Sequence, residues 1–288
     1  GALSLRRRRS CPGCGARAAL DLNQGGDARS ADPPISLTPG LQGLGPATAR
    51  HPNPFSTERQ SVEPLNVYVG FDRNEIAAYH VLCQSILERC SAPLRFTPIN
   101  VTNLRGLYTR ERNRISSTDF SFSRFLTPYL SGYAGWSLFM DCDMLALADF
   151  AELFALADDR YAVMVCKHDY TPRGDIKFGG HVQTRYEKKN WSSVMLFNNA
   201  RCRALTPDLV NTATGLELHQ FKWLASDDEI GALPLEWNWL VGEYALNPDA
   251  KIAHYTLGGP YFPAYADVEY GDEWRAALAR TNSASQDA

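Results

Sequence analysis

An apolar segment that ends in two closely spaced carboxylates most constrains what this chain can fold into. Residues 136–140, WSLFM, are long enough for a buried strand, and Asp141-Cys142-Asp143 follows directly. Central strands of α/β sheets are hydrophobic, and such sheets bind ligands at the carboxyl ends of their strands. Residues i and i+2 of an extended backbone project to the same side. We therefore expect Asp141 and Asp143 to share a hard cation, Mg²⁺ or Mn²⁺, with a phosphorylated ligand. The alternative is that the two acids only end the strand in a turn.

The composition indicates a globular protein with one substantial core. The chain has 288 residues, of which 44% are hydrophobic and 21% charged. No apolar run approaches the roughly 20 residues of a transmembrane helix, and the first residues do not resemble a secretory signal. The seven Cys favour reduced thiols over a disulfide framework. We expect a cytoplasmic protein, and contact of the Arg run at residues 6–9 with the inner face of a membrane stays open.

The charge distribution excludes a general nucleic-acid binder. The net charge is −3; residues 1–65 contain eight Arg and five acids, or +3, which leaves −6 for the remainder. An acidic body around a cation site suits an anionic substrate only if the metal and local basic residues compensate the charge.

Three segments are distinguished along the chain. Residues 1–64 are rich in Gly, Pro, Ser, Ala and Arg, which predicts disorder. Cys11 and Cys14 have the spacing of half a zinc site but lack a second ligand pair nearby. Residues 65–275 are expected to form one domain, and residues 276–288 a disordered tail.

The domain opens with the pattern of a βαβ unit. A β-rich run at residues 66–70 precedes a helical apolar pattern from Ile76 to Cys90, and a second strand is expected at 94–101. Asp72 and Glu75 predict a capping box at the helix start. Asp72 and Asn74 either cap this helix only or contact a nucleoside at the strand end.

Further segments alternate in the same way. We expect a helix at 121–130, strands at 161–165, 192–198 and 235–240, and a short helix at 226–230. Arg124 lies among aromatic residues, where it either extends to solvent or clamps a phosphate or sugar. Residues 168–190 suggest a substrate lid. His254 ends a short apolar run before a Gly-rich loop, and it is either a ligand or structural.

In this order the segments resemble the GT-A fold, and within it glycosyltransferase family 8, which contains glycogenin and bacterial lipopolysaccharide galactosyl- and glucosyltransferases. The similarity covers residues 66–261. It implies an α/β protein with a Rossmann-like, mostly parallel central sheet flanked by helices. The matching motifs are Asp72-Arg73-Asn74, Ser123-Arg124-Phe125-Leu126, Phe139-Met140-Asp141-Cys142-Asp143, Trp191 to Asn198, Asp227-Asp228-Glu229, Trp237-Asn238 and His254-Tyr255-Thr256.

The resemblance also implies roles for individual residues. The metal ligands would be Asp141, Asp143 and His254. The donor-binding residues would be Asp72, Asn74, Arg124, Asp141, Cys142 and Ser193. The catalytic residues would be Asp227, Asp228 and Arg124. Three departures from the family stand out: the floor strand has Trp191 and Ser193 in place of Asn and Gly, Asp228 replaces Gln, and the loop at 258–261 lacks the Lys that touches the diphosphate.

The function that follows is a metal-dependent glycosyltransferase. By resemblance it would transfer a sugar from a nucleotide-diphosphate sugar, with a UDP-sugar as the leading candidate, and would retain the anomeric configuration. The acceptor would be a saccharide, a lipid-linked glycan or a protein. One alternative is a catalytically silent nucleotide-sugar or glycan-binding module. Another is a phosphatase of the haloacid dehalogenase type, although such enzymes carry their Asp-x-Asp on the first strand of the domain.

Overall fold

The computed structural model describes residues 63–111, 118–169 and 187–283. The predicted disorder of residues 1–64 falls outside this part of the chain, except at 63 and 64. Cys11 and Cys14, and most of the predicted lid at 168–190, also lie outside the described residues.

The described residues form nine strands and six α-helices. The strands are β1 Leu65–Gly70, β2 Leu94–Ile99, β3 Trp136–Met140, β4 Met144–Ala146, β5 Val163–Cys166, β6 Val194–Asn198, β7 Ile230–Leu233, β8 Trp239–Leu240 and β9 Ile252–His254. The helices are α1 Ile76–Leu87, α2 Thr127–Leu130, α3 Phe150–Phe154, α4 Pro207–Thr212, α5 Gly215–His219 and α6 Gly271–Thr281.

A six-stranded sheet forms the centre of the fold, in the order β2-β1-β3-β6-β5-β7. β6 runs antiparallel to both of its neighbours, and the other pairings are parallel. The predicted mostly parallel sheet is confirmed. β3 lies in the middle because its last four residues are fully buried and apolar side chains cover both of its faces.

The opening β1-α1-β2 unit has the predicted parallel arrangement. β1 pairs with β2 along its whole length. α1 buries Ala78, Val81, Leu82 and Ile86, which recur at the helical spacing of three and four residues. The turn between β1 and α1 therefore lies at the carboxyl end of the sheet.

A second, three-stranded sheet has the order β4-β9-β8. The strand predicted at 235–240 is largely wrong, because residues 235–238 form a 3-10 helix and only Trp239 and Leu240 are extended. Pro234 has φ −55°, and its carbonyl accepts from the backbone N–H of Trp237, so the chain turns helically at this point. The turn buries Trp237 edge-on against Phe150 at 6.1 Å.

α6 closes the domain and extends it past the expected boundary at residue 275. The prediction of a disordered tail from residue 276 is wrong for the segment up to Thr281, which is helical. Trp274 and Ala277 of α6 pack with Val81, Leu145 and Tyr255 in a second apolar cluster. This burial supplies the free energy that orders the helix. Among the described residues, no helix combines the length and hydrophobicity that crossing a membrane requires.

We predict that the ion pair between α1 and α6 makes stability depend on acid pH. Arg280 donates to both carboxylate oxygens of Glu88, at 2.6 and 2.7 Å, and this bonding lowers the pKa of Glu88 from about 4.5 to about 2. A depressed native pKa contributes stability above the unfolded value, which is lost as pH falls from 4.5 through 2. Glu88→Gln should lower the unfolding free energy at pH 7 by about 0.5–1 kcal/mol, because the pair is partly exposed.

Urea denaturation at pH 7 and pH 3 measures this effect. The difference between wild type and Glu88→Gln should shrink at the lower pH. The matched control is Asp272→Asn, whose 94% exposed carboxylate pairs with Arg275 of the same helix and should change neither value. An equal loss at both pH values would contradict the electrostatic origin.

Candidate functional site

Two carboxylates and one imidazole lie together at the carboxyl end of β3. One ligand atom each of Asp141, Asp143 and His254 lies within 4.8 Å of the others, and the described residues contain no second group of this kind. His254 reaches the acids because β9 pairs with β4 in the register Met144 to His254. Its Nε2 lies 3.4 Å from Oδ1 of Asp143. The structure therefore brings the three predicted metal ligands together.

The donor set of this group suits a small divalent cation. Carboxylate oxygen and imidazole nitrogen are ligands for Mn²⁺ and are compatible with Mg²⁺. Asp143 and His254 are almost fully buried, and the Tyr255 N–H donates to the Asp143 carbonyl at 2.9 Å, which fixes the backbone between them. Concentrating carboxylates away from water is costly unless positive charge compensates them. The residues present therefore fit a metal ion.

Arg124 is held against this group rather than extended into solvent. Its Nη1 forms an ion pair with Oδ1 of Asp141 at 2.7 Å and donates to the Ser192 carbonyl at 2.8 Å. The guanidinium lies 5.2 Å from the ring centroids of both Phe120 and Phe139. Arg124 is 5% exposed, so the option of a solvent-extended side chain is wrong. One fixed positive charge therefore lies beside the two acids.

Asp72 organises the turn after β1. Its Oδ1 accepts from the Asn74 N–H and its Oδ2 from the Asp119 N–H, both at 2.8 Å. A cavity of about 210 Å³ opens beside this turn, and Arg73, Asp119 and Phe122 contribute to its lining. Asp72 is therefore a turn-forming residue at the carboxyl end of the sheet, and Asn74 enters this turn through its backbone N–H.

Glu75 lies in the interior, and the predicted capping box is wrong. α1 has no side-chain cap; Glu75 instead accepts from the Tyr261 hydroxyl at 2.8 Å and from the Cys142 thiol at 3.7 Å. Burial and then the charge of Asp143 raise the pKa of Glu75 to about 8, so its carboxyl is largely protonated at pH 7. The sequence does carry a signal for this burial, because Glu75 lies three residues before Ala78 and so continues the buried face of α1.

The loop at residues 258–261, where the family has a Lys, brings an aromatic ring inward. A Cβ on Gly259 would lie 2.4 Å from the Tyr261 ring, so only glycine allows this ring position. Tyr261 packs on Trp274 of α6 with ring centroids 5.6 Å apart. Burial and the neighbouring Glu75 raise the pKa of Tyr261 well above its usual range. This part of the loop contributes a neutral phenol to the interior and no cation.

Cys142 lies between the two acids in sequence, but its side chain is fully buried. The thiol donates to Glu75, and burial raises its pKa well above the usual range. The Cys142 thiol thus faces Glu75 in the interior. The donor-binding role of Cys142 stays a prediction.

Ser193 lies next to the acidic pair at the start of β6. Its carbonyl accepts from the Asp141 N–H at 2.9 Å. Its hydroxyl donates to the Asn190 carbonyl at 2.6 Å and accepts from the Asn238 amide at 3.0 Å. The side chain of Asn238 also meets Nδ1 of His254 at 2.7 Å. Ser193 and the metal-ligand group thus share one buried hydrogen-bond network.

Asp227 and Asp228 lie on an exposed 3-10 helix before β7. Asp227 forms an ion pair with Nζ of Lys188 at 2.5 Å, and its side chain is 73% exposed. Asp228 accepts from the Ser226 hydroxyl at 3.1 Å. Lys188 also donates to the Gln220 carbonyl at 3.0 Å, which fixes it beside Asp227. The contacts of these two acids are thus with Lys188 and Ser226.

Two histidines near the site, His168, which is buried, and His219, which is partly buried, carried no sequence signal beyond their residue type. Nδ1 of His168 lies 2.9 Å from the Tyr244 hydroxyl, and Nδ1 of His219 lies 2.6 Å from the Ser192 hydroxyl. Burial and the neighbouring His254 lower the pKa of His168 to about 3. Burial and the neighbouring Arg124 lower the pKa of His219 to the same value. Both rings are neutral and support the residues around the site.

Solved structures similar to this chain are glycosyltransferases. The WbbM bifunctional glycosyltransferase is 16% identical with a TM-score of 0.52, and the match covers 76% of this chain and 50% of that one. The chain therefore spans half the length of WbbM. An active-site mutant of LgtC is 11% identical with a TM-score of 0.50, over 77% of this chain and 98% of LgtC. This likeness confirms the predicted GT-A fold and the resemblance behind it.

The sequence comparison identifies the family. No protein-family model matches the sequence. Protein CDI of Arabidopsis thaliana is 48% identical over 229 residues, and the match covers 76% of this chain and 88% of that protein. With its GT-A glycosyltransferase fold, the chain belongs to the family of Protein CDI.

Proposed function

We propose that this protein is a metal-dependent glycosyltransferase that uses a nucleotide-diphosphate sugar, with a UDP-sugar as the leading candidate for the donor. The main support for this proposal is the convergence of Asp141, Asp143 and His254 at the carboxyl end of the central strand of a GT-A fold. The sugar would pass with retention of configuration to a saccharide, a lipid-linked glycan or a protein. The five described cysteines are free thiols, which supports a cytoplasmic location for the protein. Contact with the inner face of a membrane stays open.

Asp141, Asp143 and His254 would hold Mn²⁺ or Mg²⁺. When bound, such an ion supplies a Lewis acid that neutralises charge on a diphosphate leaving group. The loop at 258–261 offers no Lys for this purpose. Arg124 and Lys188 each form an ion pair with an Asp, but the partner of Arg124 is Asp141 of the metal-ligand group. Arg124 is therefore the described cation best placed to add charge-assisted hydrogen bonds to a phosphate or to the donor sugar.

We assign the remaining predicted donor-binding and catalytic residues their roles from their positions in the fold. Asp72 and Asn74 shape the turn beside the cavity of about 210 Å³, which we assign to the nucleoside. Ser193 would line the floor of the sugar pocket, with the backbone of Cys142 next to it. Asp227 and Asp228 would orient sugar hydroxyls and stabilise positive character at the anomeric carbon, after exchange of the Lys188 pair.

One test separates this function from its alternatives. The purified protein is incubated with Mn²⁺ and a panel of nucleotide sugars, and release of nucleoside diphosphate by slow hydrolysis is followed without acceptor. Release that stops with chelator supports the proposal. Binding of a donor without any release supports the catalytically silent module. The absence of the family's Lys from the loop at 258–261 favours this alternative. Phosphate release from simple monoesters supports the phosphatase.

We predict that Asp143→Asn removes turnover while the protein stays folded. Asparagine keeps the volume but loses the charge that a cation requires. The loss should exceed the roughly 10–100-fold cost of changing an outer-sphere residue. Mn²⁺ affinity by electron paramagnetic resonance should fall in parallel, with an unchanged circular dichroism spectrum. Asp158→Asn, which removes a partly exposed acid paired with Arg160 on the surface, is the control. Full activity of Asp143→Asn would contradict the metal role.

We predict that Arg124→Lys weakens use of the donor although it retains the positive charge. Nη1 of the guanidinium contacts both Asp141 and the Ser192 carbonyl, and the planar group lies between two rings. A lysine has a single ammonium group, which lacks the further N–H groups of the planar fork that a donor would bind. The expected loss in kcat/KM for the donor is about 10- to 150-fold, the equivalent of one charge-assisted hydrogen bond. Steady-state kinetics with varied donor measure it, and Arg160→Lys on the surface is the control. An unchanged value would remove Arg124 from the donor site.

A further inference from the structure

A buried amide connects the metal-ligand group to the floor of the proposed donor pocket. Asn238 ends the 3-10 helix before β8, and β8 pairs with β9 so that Leu240 lies opposite His254. Its Oδ1 lies 2.7 Å from Nδ1 of His254. Its Nδ2 donates to the Asn190 carbonyl at 3.2 Å and to the Ser193 hydroxyl at 3.0 Å. Asn238 is fully buried and His254 is 2% exposed.

The direction of each hydrogen bond follows from the chemistry of the groups. A backbone carbonyl only accepts, so the end of the Asn238 amide that faces Asn190 must be its NH₂ group. The amide oxygen then faces His254, and an amide oxygen also only accepts. Nδ1 of His254 must therefore carry a proton. This removes the usual ambiguity of amide orientation and imidazole tautomer without reference to hydrogen positions.

A proton on Nδ1 of His254 determines whether Nε2 carries a lone pair or a proton. In the neutral imidazole, Nε2 then carries a lone pair, and Nε2 faces Oδ1 of Asp143 at 3.4 Å. A lone pair and a carboxylate oxygen at this distance are two converging acceptors, an arrangement that a cation between them stabilises. A metal ion binds imidazole through the unprotonated nitrogen only. The opposite tautomer would present an N–H to the site.

The backbone holds the amide in this orientation. Asn190 has a left-handed conformation with φ +62°, and its carbonyl accepts from both the Asn238 amide and the Ser193 hydroxyl. The Ser193 carbonyl accepts from the Asp141 N–H. Rotation of the Asn238 amide by 180° would set its oxygen against the Asn190 carbonyl, so that two acceptors would face each other. The network therefore admits one orientation.

We propose that Asn238 is a positioning residue that fixes His254 in the Nδ1-protonated tautomer and aims Nε2 at the cation site. The inference deepens the proposed function and rests on it for the identity of the bound group. Metal-ligating histidines are commonly oriented through their second nitrogen, and loss of such a partner costs about 10–100-fold in metal affinity. Asn238 also ties the metal ligand to Ser193, so ion affinity and the shape of the donor pocket depend on one side chain.

The first experiment needs no variant and no turnover. The ¹⁵N-labelled, metal-free protein is studied in the presence of chelator, and long-range ¹H–¹⁵N correlations of His254 report which ring nitrogen is protonated. Protonated Nδ1 with unprotonated Nε2 supports the proposal. A dominant Nε2–H tautomer overturns it, whether or not the protein proves to be a transferase. This outcome is independent of the donor-hydrolysis panel, so the two failures are distinguishable.

The second experiment uses Asn238→Ala and a matched control. Asn238→Ala should raise the dissociation constant for Mn²⁺, measured by electron paramagnetic resonance of the free ion, by about 10–100-fold. The control is Asn199→Ala, because Asn199 is equally buried and its Nδ2 bonds Ser137 and the Ala134 carbonyl at the opposite end of β6. It should lose comparable stability yet keep the Mn²⁺ affinity. Equal affinities in both variants would overturn the proposal.

A third variant covers the case in which Asn238→Ala does not fold. Asn238→Asp retains an oxygen acceptor for the Nδ1–H of His254 and removes the NH₂ group that Asn190 and Ser193 require. We expect it to keep the His254 tautomer. A switch of His254 to the Nε2–H tautomer in Asn238→Asp would overturn the role of the Oδ1 contact.

Discussion

The site depends on the pairing of two short strands. β4 continues from the acidic pair, and β9 supplies the imidazole because Met144 lies opposite His254. Side chains alternate between the two faces of a strand, so a slip of one residue in this register would turn His254 to the opposite face. The apolar cluster that α6 completes buries Leu145 and Ala253 of the same strands and fixes the register. Packing at the end of the domain thus determines the geometry of the polar group.

The arrangement also resolves an electrostatic problem. Asp72, Glu75, Asp141 and Asp143 lie close enough for the charges of the three Asp residues to raise the pKa of Glu75. The negative charge of each acid has a different environment. Backbone N–H groups bond Asp72, the Arg124 guanidinium pairs with Asp141, and protonation neutralises Glu75. Oδ1 of Asp143 faces Nε2 of His254 at 3.4 Å. Arg124 therefore has a structural role before any donor binds.

The sequence predicted well what local patterns encode. The buried strand before Asp141, the β1-α1-β2 unit and the strand at β6 follow from apolar periodicity, which depends on neighbouring residues only. The convergence of His254 with the acids could not be read from periodicity, because it depends on pairing between strands more than a hundred residues apart. The family resemblance supplied it. The roles of Asp227 and Asp228 stay predictions, since their contacts are with Lys188 and Ser226.

The errors share a physical cause, which is that tertiary contacts override local preference. Glu75 has the spacing of a capping box, but its carboxyl lies in the interior and accepts hydrogen bonds from the Tyr261 hydroxyl and the Cys142 thiol. Residues 235–238, expected as part of a strand, form a 3-10 helix that buries Trp237 and brings Asn238 into contact with His254. Propensity is a weak prior wherever a buried polar partner is available.

The reversed direction of β6 has a consequence for variation within this fold. Because β6 is antiparallel to β3 and β5, its first residue Val194 lies opposite Met140, next to the acidic pair. The end of β5 and the start of β6 therefore lie at the same end of the sheet, next to Asp141. Lengthening a connection twofold costs only about 0.6 kcal/mol of closure entropy. Insertions between these two strands would therefore begin and end beside the acidic pair at little cost to the sheet.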